Sequence, residues 1–188
     1  MHDLSKFQLG DSYATLAKAI LAQCNKQFAV TTFERGEVLL QQGQKQQFGY
    51  LVLDGVLAAF HNSDSGEKKC KEFYFKDEFV LLFGNWLTKT PALYQIKVIK
   101  SARLIAVPLT KIAQPDWYEL KLQLVSQQLL FKEAKEAFLL LNTPEQRYRY
   151  LLAQKPHWLA QLTLTEVAMY IGVSPISLSR IRKRLNLS

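Results

Sequence analysis

The stretch "LTLTEVAMYIGVSPISLSRIRKRLNLS", residues 162–188, decides how the rest of the chain is read. It passes from an apolar, helix-favouring half to a half that carries Arg180, Arg182, Lys183 and Arg184 with no acidic residue. A solvated helix face usually interleaves both signs of charge, so a one-sign cluster this dense points to a partner of opposite sign. Thr163 with Glu166 three residues on has the pattern of a capping box, and Ser174 followed by Pro175 marks a second helix start. The spacing predicts helices over about 164–171 and 175–185, joined at "IGVS", where Gly172 supplies the left-handed residue of a sharp turn. Leu164, Val167, Ala168, Ile171, Val173, Leu178 and Ile181 are the side chains expected to lock the pair. This is the spacing of a helix-turn-helix, whose second helix lies in the major groove of duplex DNA. A compact helical hairpin with an accidental basic end would share the composition.

Working outward, "NTPEQRYRYLL" (residues 142–152) opens a new unit: Thr143 is a good N-cap, Pro144 suits the first helical position and Gln146 completes a capping box. A boundary near residue 142 follows. Before it, "DWYELKLQLVSQQLLFKEAKEAFLLL" (residues 116–141) has no Gly or Pro and predicts one helix of about seven turns. Trp117, Leu120, Leu124, Phe131, Ala134 and Phe138 share one side, with Leu122, Val125 and Leu129 adjoining. One side is expected to pack on the preceding domain and the other on its own copy in a homodimer, with Leu124, Phe131 and Phe138 at the seam. Burial of the whole helix within one chain is the alternative.

From Phe28 to Val107 the pattern becomes β-rich, in "FAVTTF", "EVLLQQ", "YLVLDGVLAAF", "KEFYF", "FVLLF", "YQIKVI" and "ARLIAV", punctuated by Gly36, Gly43, Gly55 and Gly66. Short strands at turn-marked intervals predict an antiparallel sandwich or barrel of jelly-roll type. Tyr13, Leu16, Ile20 and Leu21 predict a short amphipathic helix ahead of it. The fold class is therefore α+β, with a jelly-roll domain over residues 1–115, a long helix over 116–142 and a small helical domain over 143–188.

Composition narrows the function. The net charge is +8, and from Thr143 onward seven Lys and Arg face only Glu145 and Glu166. A basic excess confined to one small region is the footprint of a nucleic-acid partner. No apolar run approaches the roughly 18 residues that span a bilayer, and Asp3 and Lys6 interrupt any signal-peptide core, so the expected location is the cytoplasm, with no membrane partner. Cys24 and Cys70, the only cysteines, are too few for a disulfide framework or a cluster site. No nucleophile-base constellation, phosphate-cradling Gly loop or metal-ligand spacing is present, which argues against an enzyme and leaves no catalytic or metal residue to nominate.

Taken together, "TPEQRYRYLL" and "LTLTEVAMYIGVSPISLSRIRKRL" resemble the DNA-binding domain of the cyclic AMP receptor protein/FNR family of bacterial transcription regulators, and "FERGEVLLQQG" and "YLVLDGVL" resemble the opening strands of that family's cyclic-nucleotide-binding domain. The resemblance covers about residues 10–188. It implies a jelly-roll sensor, a long dimerisation helix and a winged-type helix-turn-helix that binds double-stranded DNA. It places the reader positions on Ser174, Pro175, Ile176, Ser177, Arg180 and Lys183. Arg180 stands where a guanine-contacting arginine is common, and Thr163, Ser174, Arg182 and Arg184 are placed for phosphates. RNA polymerase is a further partner of such regulators.

The sensor half departs from the family. The Gly-Glu pair that meets a cyclic nucleotide's ribose aligns with Val80-Leu81, and the Arg-Ser or Arg-Thr pair that holds its phosphate aligns with Leu93-Tyr94. An anionic phosphate against leucine without a paired cation costs several kcal/mol. No cofactor is expected, and cyclic AMP or cyclic GMP in the usual pose is not expected. An unidentified apolar effector near Val80, Leu81, Leu82, Trp86, Leu93 and Tyr94 is the remaining candidate ligand. The competing function is a ligand-sensing module whose helical tail binds a protein rather than DNA.

Overall fold

The computed structural model describes residues 10–24 and 27–187; Asp3 and Lys6 lie outside them. The described residues form two compact units, residues 10–130 and 131–187. The first unit begins with helix α1 (Gly10–Cys24) and continues through β1 (Val30–Phe33), β2 (Val38–Leu40), β3 (Phe48–Asn62), β4 (Lys68–Tyr74) and β5 (Phe79–Val80). Helix α2 (Phe83–Thr88), β6 (Gln95–Pro108), α3 (Leu109–Ile112) and a 3-10 turn (Pro115–Trp117) lead into α4 (Tyr118–Leu141).

β3 and β6 pair along nearly their whole length and form the spine of one antiparallel sheet. β1 and β2 pair with the other edge of β6, and β4 and β5 with the other edge of β3. Strands of 15 and 14 residues cannot stay straight and wrap a small core, and the register shifts between Val52 and Leu57 are where this pair bends. Gly55 sits there with φ +91°, and a Cβ on it would run into the Ser101 carbonyl oxygen and come within 2.5 Å of Ala102 Cα. Only glycine fits that approach.

Strand alternation then fills two cores. Tyr50, Val52, Val80, Leu82 and Leu104 point into one, and Leu51, Phe79, Leu81 and Ile105 into the other. The second core receives Leu16 and Ile20 of α1, Trp117 of the 3-10 turn, and Leu120 and Leu124 of α4. The jelly-roll expectation matches this antiparallel β unit, with two local differences. "YQIKVI" and "ARLIAV" form one continuous β6, and "FVLLF" is strand only at Phe79–Val80 before α2 begins at Phe83. No side chain caps the start of α2; its C-terminus is fixed by Lys89 in the left-handed region, a tertiary feature without a sequence signature.

Two residues assigned to the dimer seam belong to these interiors instead. Leu124 is 2% exposed in the second core, and Phe138, 5% exposed, packs its ring on Tyr150 and Tyr170 with centroids 5.4 and 6.2 Å apart. The sequence assigned one face of α4 to a partner, but that face is the one α4 uses within its own chain.

The second unit holds the end of α4, then α5 (Pro144–Gln154), α6 (Pro156–Leu159), α7 (Leu164–Ile171) and α8 (Pro175–Arg184). Thr143 caps α5 as predicted, with Gln146 returning its side chain to the Thr143 N–H at 2.8 Å. The expected wing is not seen: among the described residues this unit has no strand. Pro156 cannot donate to a ladder, and buried Trp158 and Leu162 pull residues 155–162 into helical turns, with the Leu162 N–H donating to the Trp158 carbonyl at 2.9 Å. Among the described residues no helix is long and apolar enough to cross a membrane.

Candidate nucleic-acid interface

α7 and α8 pack on each other, joined by a turn that backbone and side-chain hydrogen bonds close. Gly172, at φ 74° and ψ 37°, closes α7: its N–H reaches the Met169 carbonyl at 3.3 Å and the Val173 N–H reaches Ala168 at 3.0 Å, a Schellman pairing. Ser174 then caps α8, its hydroxyl accepting from the Ser177 N–H at 3.1 Å. Val167, Ala168, Ile171, Leu178 and Ile181 are buried between the helices, while Leu164 is exposed and Val173 half-buried, so those two do less of the locking than expected.

Burying Leu178 and Ile181 leaves a fixed outward face on α8. Ile176, Ser179, Arg180 and Lys183 are all exposed and share it, since they stand at i, i+3, i+4 and i+7. Ser179 was not singled out from sequence, although its spacing from Ile176 and Lys183 carries the signal. Pro175 and Ser177 are exposed beside this face. The Ser177 and Ser174 hydroxyls lie 2.9 Å apart.

The charges are not all equivalent. Arg184 sits 3.2 Å from Glu145, whose other oxygen takes Arg149 at 3.1 Å. Hydrogen bonds from Arg149, then Arg184, hold the Glu145 carboxyl below the usual carboxylate range against the opposing effect of burial. Thr163 is likewise committed. Its N–H and hydroxyl both donate to Glu166 at 2.7 and 2.9 Å, and the hydroxyl accepts the Glu166 N–H at 3.3 Å. The phosphate role given to Thr163 therefore has no free donor behind it, and a carboxylate stands beside it. Arg180 and Lys183 are fully outward, with Arg182 half-buried on the flank.

One residue that sequence reading missed holds this unit together. Arg147 of α5 donates Nη2 to Leu139 (2.6 Å) and Nε to Asn142 (3.0 Å) at the end of α4, and Nη1 to Ile171 (2.7 Å) at the end of α7, each time to a carbonyl oxygen. Carbonyls at helix C-termini lack intrahelical partners and carry partial negative charge, so a fork of donors with a positive charge suits them. "RYRY" gives no hint of it, because the three acceptors come from two other helices.

This arrangement has counterparts of known structure. FixK2 from Bradyrhizobium japonicum superposes with a TM-score of 0.67 at 13% identity, over 85% of this chain and 84% of that one. A CRP/FNR-family transcriptional regulator from Thermus thermophilus gives 0.66 at 19%, over 84% and 86%. The global regulator CLP of Xanthomonas campestris, described as c-di-GMP responsive, gives 0.64 at 16%, over 92% and 91%. The chain has the fold of CRP/FNR regulators. No protein-family model matches its sequence, and no curated protein does.

Within the CRP/FNR fold, three of the six residues assigned to an effector pocket share one core, Val80 and Leu82 with Tyr94 packed against it, and the other three do not join them. Val80 and Leu82 are buried in one core; Leu81 is buried in the other, where Trp86 packs. Leu93 is exposed, its carbonyl accepting from His61 Nδ1 at 3.1 Å, and Tyr94 faces the His61 ring and carries Lys71 5.4 Å above its own.

The Arg147 clamp predicts a local loss of order. Arg147→Ala leaves three carbonyls without their charged donor, a cost of about 2–4 kcal/mol. Hydrogen exchange should accelerate in residues 144–187 and stay unchanged in β3 and β6; equal acceleration in both units would refute the clamp.

Proposed function

We propose that the chain is a homodimeric, sequence-specific DNA-binding transcription regulator of the CRP/FNR type, with a cyclic-nucleotide pocket that no longer takes cyclic nucleotides. The observation that carries it is the outward face of α8. It presents Arg180, Lys183, Ile176 and Ser179 on a rigid helix whose ten residues include no acid, and the two glutamates that follow Thr143, Glu145 and Glu166, are engaged by other groups. Such a helix fits the major groove, Arg180 offering a bidentate contact to guanine and Lys183, Arg182 and Ser174 reaching phosphates. Arg184 adds charge only by sharing Glu145. RNA polymerase is the further partner that a regulator so placed on DNA would meet.

The dimer is assigned to the other face of α4. Tyr118, Leu122 and Leu129 are 64%, 51% and 60% exposed, and with half-buried Val125 they step by four, three and four residues. That is the period of a coiled-coil seam, and large apolar groups at that period bury well against a second copy. Phe131, half-buried, stands seven residues from both Leu124 and Phe138 on the opposite side of α4, and lies outside this stripe.

The sensor reading rests on what fills the β unit. Val80, Leu81 and Leu82 leave no carboxylate for a ribose, Leu93 and Tyr94 supply no guanidinium for a phosphate, and the core around Val80 and Leu82 is built of aliphatic and aromatic side chains. An effector of this unit would be apolar, with no cofactor.

Selection of bound fragments from a random duplex pool by purified protein should return two half-sites about one helical turn apart. Arg180→Ala should cost about 1–3 kcal/mol on the selected duplex and little on random DNA; equal losses on both, read by fluorescence anisotropy, would refute base reading. Leu129→Glu, which sets two charges against each other in an apolar seam, should weaken the dimer by about 2–3 kcal/mol. Sedimentation equilibrium checks it, and an unchanged dimer would remove this face from the interface. Titration calorimetry with millimolar cyclic AMP or cyclic GMP should give no binding heat, whereas a micromolar dissociation constant for either would overturn the pocket assignment.

A further inference from the structure

We propose that Ile176 reads the 5-methyl group of a thymine lying within about two base pairs of the guanine read by Arg180, which rests on the reading of α8 as the base-contacting helix. Ile176 is 66% exposed in the first turn of α8, the part of a recognition helix that comes nearest base edges. A scattered surface isoleucine needs no account, but this one stands on the same face as Arg180 and Lys183. When that face enters the groove, Ile176 strips water from whatever it meets. A polar base edge desolvated in this way loses hydrogen bonds that isoleucine cannot replace. The one apolar group on a major-groove edge is the thymine methyl.

The rest of α8 narrows the alternatives. "PISLSRIRKR" contains no Asn or Gln to take adenine through two hydrogen bonds, and no Asp or Glu to accept from the cytosine amino group. Pro175, exposed beside Ile176, lacks an N–H and widens the apolar patch. Thymine is therefore the base that the first turn of this helix is built to favour. Ile176 and Arg180 are four residues apart, about 6 Å along the helix axis, which spans roughly two steps of the 3.4 Å rise of duplex DNA.

The test uses the full chain and duplexes recovered by selection from a random pool. Each thymine of a half-site is replaced singly by deoxyuridine, which deletes the methyl and leaves base pairing intact, and affinity is read by fluorescence anisotropy. One position per half-site, within two base pairs of the guanine sensitive to Arg180→Ala, should lose about fourfold, the worth of burying one methyl group. Ile176→Ala, at an exposed position where circular dichroism should show an unchanged fold, should bind the thymine and deoxyuridine duplexes equally. Placing 5-methylcytosine at that position should bind the wild-type chain about fourfold tighter than cytosine. Deoxyuridine without effect at every position, a fourfold loss that persists in Ile176→Ala, or a selected site with no thymine near the guanine would overturn the assignment while leaving DNA recognition standing. A pool from which no sequence is enriched would instead overturn the DNA-binding reading, and this inference with it.

Discussion

The guanidinium of Arg147 is the interaction on which the helical unit depends. It gathers the carbonyl ends of α4 and α7, two helices far apart in sequence, onto one side chain of α5. Buried or half-buried carbonyls without donors are costly, and a planar fork of N–H groups meets several at once. Since α7 carries α8 through Val167, Ala168, Ile171, Leu178 and Ile181, fixing the end of α7 fixes the face that α8 presents. Gly172 completes the arrangement. Its φ of 74° is the left-handed conformation that turns the chain, and it carries the turn directly past Arg147 Nη1, 3.5 Å from where a Cβ would stand.

Charge in this unit is sorted by the same economy of contacts. Of the two glutamates that follow Thr143, Glu166 is spent on the capping box of α7 and Glu145 on Arg149 and Arg184. The outward face of α8 is left with cations and no anion, which a solvent-facing helix would not require and a polyanionic partner would. The total charge of a domain says less about its partner than which of its charges remain uncommitted after folding.

The sequence was most legible where local chemistry sets the outcome. The capping boxes at Thr143 and Thr163, Pro175 after Ser174 and Gly172 at the turn each act within a few residues, and the helices begin and end where those signals stand. The β-rich run "YLVLDGVLAAF" likewise announced a strand of the sheet's spine. What escaped was non-local. Periodicity showed that α4 has two apolar sides but not which one its own chain covers, so Leu124 and Phe138 were assigned outward while Tyr118, Leu122 and Leu129 hold the exposed stripe. Thr163 was read as a donor to phosphate because its commitment to Glu166 depends on side-chain geometry. The merging of two strands into β6 depends on pairing with β3, which no window of β6 alone encodes.

The central claim, that the outward face of α8 is where this chain meets duplex DNA, is tested most directly by lysine footprinting. The full chain is acetylated with and without a saturating selected duplex, and modification of Lys183 is compared with that of Lys100, an exposed lysine of β6. Lys183 should be protected by DNA while Lys100 reacts as before. Lys183 equally reactive in the free and DNA-saturated protein would contradict the account.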